Sequence, residues 1–163
     1  MIWRVKEMAP TDAKERTRIG EAFARQLLEE YSGQTAASFV IKRTPKGKPY
    51  AENSPLEFSL SHSGRWLLCA VGDQPLGVDI EVLRPRNLKV AERFFTPKEQ
   101  AFLAPEQEDA YLRFLQIWTA KEAYFKAIGT GITNLKSICY FDLLPHLQQI
   151  VTEDYILSIY QKK

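Results

Sequence analysis

The sequence predicts an α+β protein, in which groups of helices and groups of antiparallel strands follow one another. The predicted order is a helix, several strands, further helices and closing strands, a segregation typical of this class. The 163 residues suffice for a single domain with a buried core. Apolar residues make up 45% of the chain and charged residues 26%, as in an ordinary globular protein. We therefore expect one folded unit of mixed structure.

The first predicted helix begins at a capping box. Asp12 can serve as the N-cap, and Glu15 follows three residues later. Apolar residues then recur at helical spacing as far as Tyr31, and Gly33 suits the end of the helix. This pattern predicts a long helix over most of residues 12–33.

Strands are predicted where short apolar or alternating runs are bounded by turn residues. Four such runs follow the first helix, at residues 38–42, 58–61, 66–71 and 76–82. The last two flank the turn-forming residues 72–75, which predicts that they form a hairpin.

The chain becomes helical after residue 86. Thr96 to Glu99 combines a capping box with proline at the first helical position. A longer helix is expected over 109–128, followed by strands at 136–141 and 155–160. Each half of the chain, about 1–75 and 76–163, thus offers roughly one long helix and three strands. The prediction is one domain built from two similar halves.

Composition excludes several classes of protein. A formal net charge of +2, without arginine-rich segments, does not indicate a nucleic-acid partner. Cys69 and Cys139 lack metal-ligand spacing and are expected to be buried free thiols. No apolar run has the length of a signal peptide or a membrane span. We therefore expect a cytoplasmic protein with no membrane partner.

Two carboxylates lie side by side in the predicted strand 76–82. Asp79 and Glu81 are two residues apart, so they project from one face, about 7 Å apart at the backbone. Their repulsion must be offset by a lysine, an arginine or a hard cation. Oxygen ligands without histidine or cysteine favour magnesium over zinc. The alternative is an ordinary solvated strand, which shows the same alternation.

The predicted helix 109–128 carries a third carboxylate. Glu122 and Lys126 are four residues apart and share a face, with Trp118 one turn earlier. This pattern also describes a simple surface ion pair, and Trp118 is interpreted as a packing residue.

A third motif places Ser61 and His62 before the turn at Gly64, where exposed backbone N–H groups can bind an anion. The alternative for His62 is a structural role.

These three motifs together resemble one family. The runs 58–66, 74–81, 93–96 and 118–126 are similar to the 4′-phosphopantetheinyl transferases that activate surfactin synthetase and its relatives. The resemblance covers about residues 16–133 and is specific because the motifs occur jointly and in order. It implies an enzyme of the holo-acyl-carrier-protein synthase type. Such an enzyme transfers 4′-phosphopantetheine from coenzyme A to a serine of an apo acyl or peptidyl carrier protein and releases 3′,5′-ADP.

The resemblance also implies roles for individual residues. Matching positions suggest that Mg²⁺ is bound by Asp79, Glu81 and Glu122, with Glu122 as the general base and Lys126 at the leaving phosphate. The residues expected to contact coenzyme A are Arg16, Thr17, Lys48, Pro49, Ser61, His62 and Lys121.

The chain departs from the family pattern at both ends. It begins too late to contain the basic N-terminal segment of the larger members, and its C-terminal part is short. These departures motivate an alternative, a coenzyme A or carrier-binding module that has lost catalysis; a magnesium-dependent phosphohydrolase is a third. We expect a monomer with its site between the halves, with dimerisation as the alternative. The carrier can belong to fatty-acid, polyketide or peptide synthesis.

Overall fold

Residues 1–162 are described by a computed structural model, and within them most strands belong to two antiparallel sheets. The first sheet contains β1 (Ile2–Glu7), β4 (Glu57–Ser63) and β5 (Trp66–Gly72), and the second contains β6 (Leu76–Val82), β7 (Leu147–Val151) and β8 (Tyr155–Gln161). A separate two-stranded ladder is formed by β2 (Ile41–Arg43) and β3 (Pro49–Ala51). The α-helices are α1 (Ala13–Ser32), α2 (Val90–Phe94), α3 (Pro97–Leu103), α4 (Ala110–Ile128) and α5 (Tyr140–Leu143).

The two sheets have the same connectivity. In each, a first strand leads into the part of the chain that holds a long helix, and a hairpin follows. The second strand of that hairpin returns to pair with the first strand, which gives the orders β1-β5-β4 and β6-β8-β7. All of these pairings are antiparallel. The predicted α+β class with two pseudo-symmetric halves is confirmed.

The long helices begin and end as their terminal residues predict. Asp12 accepts a hydrogen bond at Oδ1 from the Glu15 amide at 2.8 Å, and α1 ends at Gly33 with φ of 76°. Helix α3 begins with the predicted capping box of Thr96 and Glu99. Helix α4 ends at Gly129 with φ of 70°, a left-handed conformation that glycine adopts without steric cost.

The sheets pack face to face between the two long helices. Leu67, Cys69 and Val71 of β5 lie in the core that α1 covers. Their neighbours on the opposite face, Leu68 and Ala70, pack against the second sheet. Helix α4 covers the outer face of that second sheet. The layers are therefore α1, first sheet, second sheet and α4.

Two predicted elements are wrong. The hairpin between the strands at 66–71 and 76–82 does not form, because β5 already pairs with β1 on one side and β4 on the other. The strand predicted at 136–141 is instead part of a 3-10 turn, Leu135–Ser137, and of helix α5. Backbone groups there bond to side chains: the Leu135 carbonyl accepts from Lys121, and the Tyr140 amide donates to Glu99.

The two cysteines differ in burial: Cys69 is buried, as predicted, whereas Cys139 is only half-buried. Cys69 and Cys139 are both free, and burial raises the pKa of the Cys69 thiol to about 12. Within residues 1–162, every helix is too short or too polar to traverse a bilayer.

Candidate active site

A close contact between β6 and α4 brings the carboxylates together. Residues 77, 79 and 81 share the face of β6 that α4 covers. A Cβ atom at Gly77 would lie 2.0 Å from the carbonyl oxygen of Ala123 and 2.4 Å from the amide nitrogen of Ala127. Only glycine therefore permits this approach, which carries the side chains of Glu122 and Lys126 to Asp79.

Each strand carboxylate contacts one cationic side chain. The ammonium Nζ of Lys126 lies 3.0 Å from Oδ1 of Asp79. The guanidinium Nη2 of Arg86, in the segment after β6, lies 2.5 Å from Oε2 of Glu81. Asp79 is 6% exposed and Glu122 8%, so both carboxylates are largely removed from water.

The charge of Glu122 is coupled to its neighbours. Burial is the largest cause that raises the pKa of Glu122, and the Asp79 and Glu81 charges raise it further, against the opposing effect of Lys126. Together these effects raise this pKa from 4.5 to about 7. The three predicted carboxylates therefore lie within electrostatic range of one another, with an excess of negative charge.

This donor set fits a hard divalent cation. Ser61 and Lys126 both contact Oδ1 of Asp79, and Oδ2 is buried with no hydrogen-bond partner among residues 1–162. In the same range no group of three histidine, cysteine, aspartate or glutamate side chains is arranged as a complete metal site. Mg²⁺ commonly takes only one or two protein carboxylates, and water and substrate phosphates complete its coordination. One or two of the three carboxylates, with Asp79 and its unpartnered Oδ2 among them, would suit a cation held in that way.

A row of serines holds β6 against the first sheet. Strand β6 is an edge strand, and three of its amides donate to serine side chains of β4: Val78 to Ser59 at 3.1 Å, Ile80 to Ser61 at 3.2 Å and Val82 to Ser63 at 3.1 Å. The hydroxyls of Ser61 and Ser63 in turn donate to Asp79 and Glu81, at 3.0 and 3.2 Å. The serines therefore both satisfy the edge of β6 and orient its carboxylates.

A basic cavity lies beside Lys126. It has a volume of about 400 Å³, and its lining includes Arg43, Lys46, Lys48, Pro49, Lys126 and Ile132. Lys48, in the turn before β3, donates to Glu57 of β4 at 3.2 Å and to the Ala127 carbonyl of α4 at 3.4 Å, so it links β4 to the end of α4. Cations from both halves of the chain thus surround a space suited to a polyanion.

A second, smaller cavity contains Arg16, Thr17, Ser61 and His62. Burial and the nearby charges of Arg16 and Lys126 lower the pKa of His62, while Asp79 acts in the opposite direction. Arg16 and Thr17 lie within the first turns of α1, as the predicted helix over residues 12–33 implies. Ser61 contributes to the lining, although its hydroxyl is already bonded to Asp79 and the Ile80 amide.

The two halves of the chain each match a model of the same kind of protein. Residues 75–161 match the family model described as 4′-phosphopantetheinyl transferase superfamily, and residues 4–74 match that described as 4′-phosphopantetheinyl transferase, N-terminal. The chain belongs to the 4′-phosphopantetheinyl transferase superfamily. The boundary between the two matches falls in the turn between β5 and β6, where the first sheet ends and the second begins.

Bacterial relatives named as 4′-phosphopantetheinyl transferases align with most of this chain. It is 37% identical over 122 residues to a 4′-phosphopantetheinyl transferase of Bacillus subtilis, covering 72% of this chain and 54% of the relative. It is 38% identical over 122 residues to the 4′-phosphopantetheinyl transferase psf-1 of Bacillus pumilus, covering 72% and 52%. The corresponding values for HetI of a Nostoc species are 38% over 129 residues, 73% and 54%. The chain therefore spans about half the length of these relatives.

One residue predicted from the family resemblance is misplaced. Lys121 does not face the carboxylate cluster: its side chain is completely buried and its ammonium donates to Glu99 Oε2 at 2.7 Å. The same ammonium donates to the carbonyls of Leu135 and Phe94. Neighbouring residues on a helix point about 100° apart, so Glu122 faces β6, whereas Lys121 points towards α3 and away from the cavities proposed for coenzyme A.

Several residues of the candidate site were not singled out from sequence. Ser59 and Ser63 alternate with Ser61, a period-two pattern that signals a common face of β4. Gly77 stands inside an apolar strand, where glycine commonly marks a close backbone approach. Arg86 carried no such signal, since its contact with Glu81 depends on the path of the segment after β6.

Proposed function

We propose that this protein transfers the 4′-phosphopantetheine arm of coenzyme A to a serine of an apo acyl or peptidyl carrier protein, in a Mg²⁺-dependent reaction. The serine oxygen forms a new bond to the β-phosphorus of coenzyme A, the pyrophosphate P–O bond breaks, and 3′,5′-ADP leaves. The observation that carries the proposal is the junction of β6 and α4, where three acidic side chains and Lys126 meet beside a basic cavity.

The carboxylates are proposed to hold the cation. Asp79 offers an unpartnered, buried Oδ2, and Glu122 lies within electrostatic range of it. Glu81 contributes directly or through water. A magnesium ion held there would neutralise charge that develops on the departing phosphate.

Proton transfer is assigned to α4. Glu122 is the proposed general base for the carrier serine, directly or through an intervening water. Burial and the charges of Asp79 and Glu81 raise its pKa to about 7 in the metal-free protein, and a bound cation would lower it, which favours the route through water. Lys126 lies one turn further along the same helix. Its ammonium can donate to the departing phosphate oxygen, because it already lies beside the proposed metal ligand Asp79.

Coenzyme A is proposed to lie across the two halves. Lys48 and Pro49 line the basic cavity, and Lys48 also reaches the end of α4. Arg16, Thr17, Ser61 and His62 line the neighbouring space and are proposed contacts for its phosphates.

The carrier partner would be a small acidic protein, and the slight positive net charge of +2 is compatible with it. The site lies within one chain, so we propose that a monomer suffices.

The test is a carrier-labelling assay. Apo carriers of the acyl and peptidyl classes are incubated with the protein, coenzyme A and Mg²⁺, and intact mass spectrometry should show one phosphopantetheine added to a carrier serine. Chelation of the metal and the Asp79→Asn variant should each abolish the mass increase. The matched variant Asp73→Asn alters an exposed aspartate in the turn before β6 and should label normally.

Two results would contradict the proposal. Binding of coenzyme A with every carrier left unmodified would indicate a binding module. Release of nucleotide from coenzyme A at the same rate with and without a carrier would indicate a phosphohydrolase.

A further inference from the structure

Arg86 forms an ion pair with Glu81, one of the proposed metal ligands. It lies in the segment between β6 and α2 and turns back five residues, so that its Nη2 lies 2.5 Å from Oε2 of Glu81. The two side chains are 22% and 23% exposed, which makes the ion pair largely protected from solvent. The same oxygen of Glu81 also accepts from Ser63.

The contact leaves part of the guanidinium unsatisfied. Arg86 Nε is buried and has no hydrogen-bond partner among residues 1–162. A buried unpaired donor costs free energy, so the Glu81 contact is weaker than a fully bonded arginine–carboxylate pair. A cavity of about 220 Å³ adjoins this side chain, lined also by Asn87, Val90 and Trp118. The guanidinium therefore has space to leave Glu81, with an aromatic face nearby that can receive a cation.

A divalent cation and Arg86 cannot both neutralise Glu81 fully. Positive charges that bind one carboxylate repel each other, so the binding of each lowers the affinity of the other by the same factor. Lys126 stands in the same relation to Asp79, but it has an assigned part in the proposed reaction. Arg86 has none.

We propose that Arg86 is an internal counter-ion that holds Glu81 in the metal-free protein and sets the metal affinity of the site by competing with the divalent cation. This inference rests on the proposed metal site described above. It assigns to the loop after β6 the role of fixing the cation concentration at which the site fills.

The first test measures metal binding without catalysis. Mn²⁺ alone is titrated into chelator-treated protein, and the free ion is followed by electron paramagnetic resonance. Arg86→Gln should bind Mn²⁺ more tightly by about fivefold or more, the lower end of typical coupling between two binding events. The control Arg84→Gln removes an exposed arginine two residues away and should leave the affinity unchanged. Unchanged or weaker binding by a folded Arg86→Gln protein overturns the proposal, as does undetectable binding by both proteins.

A second test uses the unaltered chain, in case the variant does not fold. Trypsin can cleave after Arg86, whereas the bond after Arg84 precedes Pro85 and resists the enzyme. Release of Arg86 from Glu81 by Mn²⁺ should accelerate this cleavage severalfold; cleavage that is unchanged or slower overturns the proposal. Failure of carrier labelling combined with tighter Mn²⁺ binding by Arg86→Gln would remove the proposed transfer but not this competition. Normal labelling with unchanged binding would remove the competition alone.

Discussion

At the scale of single residues, the site holds more negative than positive charge. Three carboxylates, Asp79, Glu81 and Glu122, face two cationic groups, Lys126 and Arg86. The excess falls on Glu122, because its burial makes the ionised form costly and its neighbours add repulsion. A proton or a cation can remove that cost, and the stability of the metal-free protein should therefore depend on pH.

The sign of this dependence follows from the pKa of Glu122. In the unfolded chain the carboxyl ionises near its ordinary value of 4.5, whereas in the folded chain it keeps its proton up to about pH 7. Between these values the unfolded state releases a proton that the folded state retains, so the folded state loses stability as pH rises. Glu122→Gln has no such group to ionise and should escape the loss.

We predict that Glu122→Gln, in the presence of chelator, melts near the unaltered protein at about pH 4.5 and a few degrees above it at about pH 8. Calorimetry across this range measures the difference. The control Glu153→Gln alters an exposed glutamate and should give a difference that does not vary with pH. If the difference in melting temperature between Glu122→Gln and the unaltered protein were also the same at every pH, Glu122 would ionise normally in the folded protein.

At the scale of elements, the approach of α4 to β6 decides whether a site exists. The helix backbone at Ala123 and Ala127 lies so close to Gly77 that no side chain fits between them. Glu122 and Lys126 are carried on this stretch of helix, so a shift of the helix would separate them from Asp79. Glycine at this position is thus a requirement of the site as well as of the packing.

Gly77→Ala should therefore reduce both stability and carrier labelling. The added methyl would clash with rigid backbone and push α4 outward, at a cost of about 1–3 kcal/mol or more, as for overpacking in a close-packed core. Urea denaturation and the labelling assay measure the two effects. The matched control is Gly20→Ala in α1, where the new Cβ would meet only Leu60 at 3.6 Å. It should be neutral or stabilising by about 0.5–1 kcal/mol, and wild-type behaviour of Gly77→Ala would contradict the role given to this contact.

Elements whose signals are local could be predicted from sequence. The helix caps at Asp12 and Thr96 and the alternation of β6 depend on neighbouring residues, and the structure has them where the sequence predicts them. The hairpin after β5 was mispredicted because the pairing of β5 with β1 is a long-range event. Turn residues at 72–75 specify a reversal but not which sheet the next strand joins.

The residues of the candidate site also differ in whether local sequence patterns could assign them. Asp79 and Glu81 could be assigned to one face from strand periodicity, and Glu122 and Lys126 from helix periodicity. Lys121 could not be assigned, because nothing in its own helix indicates that Glu99 of α3 covers that side. The partner of a buried charge is set by packing between distant elements, which local sequence patterns do not report.

At the scale of the whole molecule, the two halves share one core. Leu68 of β5, Val78 and Ile80 of β6 and Leu157 of β8 belong to a single buried cluster between the sheets. Beside it, the serine hydroxyls of β4 bond to amides of β6 along three successive pairs. Neither sheet can expose this face without losing apolar burial and leaving backbone donors unpaired, so we expect the halves to unfold together.

Ser59→Ala tests this coupling without touching a proposed ligand. Ser59 is 4% exposed, and its hydroxyl accepts from the Val78 amide at 3.1 Å. Its removal leaves the buried Val78 N–H without a partner at the contact between β4 and β6, which should lower the free energy of unfolding by about 1–3 kcal/mol. Because the lost bond joins the halves, the cost should appear in the unfolding of both.

Tryptophan fluorescence in urea can separate the two halves. Trp118 lies in the second half, and Trp3 and Trp66 lie in the first, beside the core between the sheets. Phenylalanine replacements leave one of these two sets as the reporter in each background. Ser59→Ala should lower the midpoint equally in both backgrounds. The control Ser38→Ala removes an exposed hydroxyl that bonds only within its own turn, and it should change stability by less than about 0.5 kcal/mol. If Ser59→Ala lowered the urea midpoint only where Trp3 and Trp66 report, the contact between β4 and β6 would not couple the halves. The site between them would then depend on α4 and β6 alone.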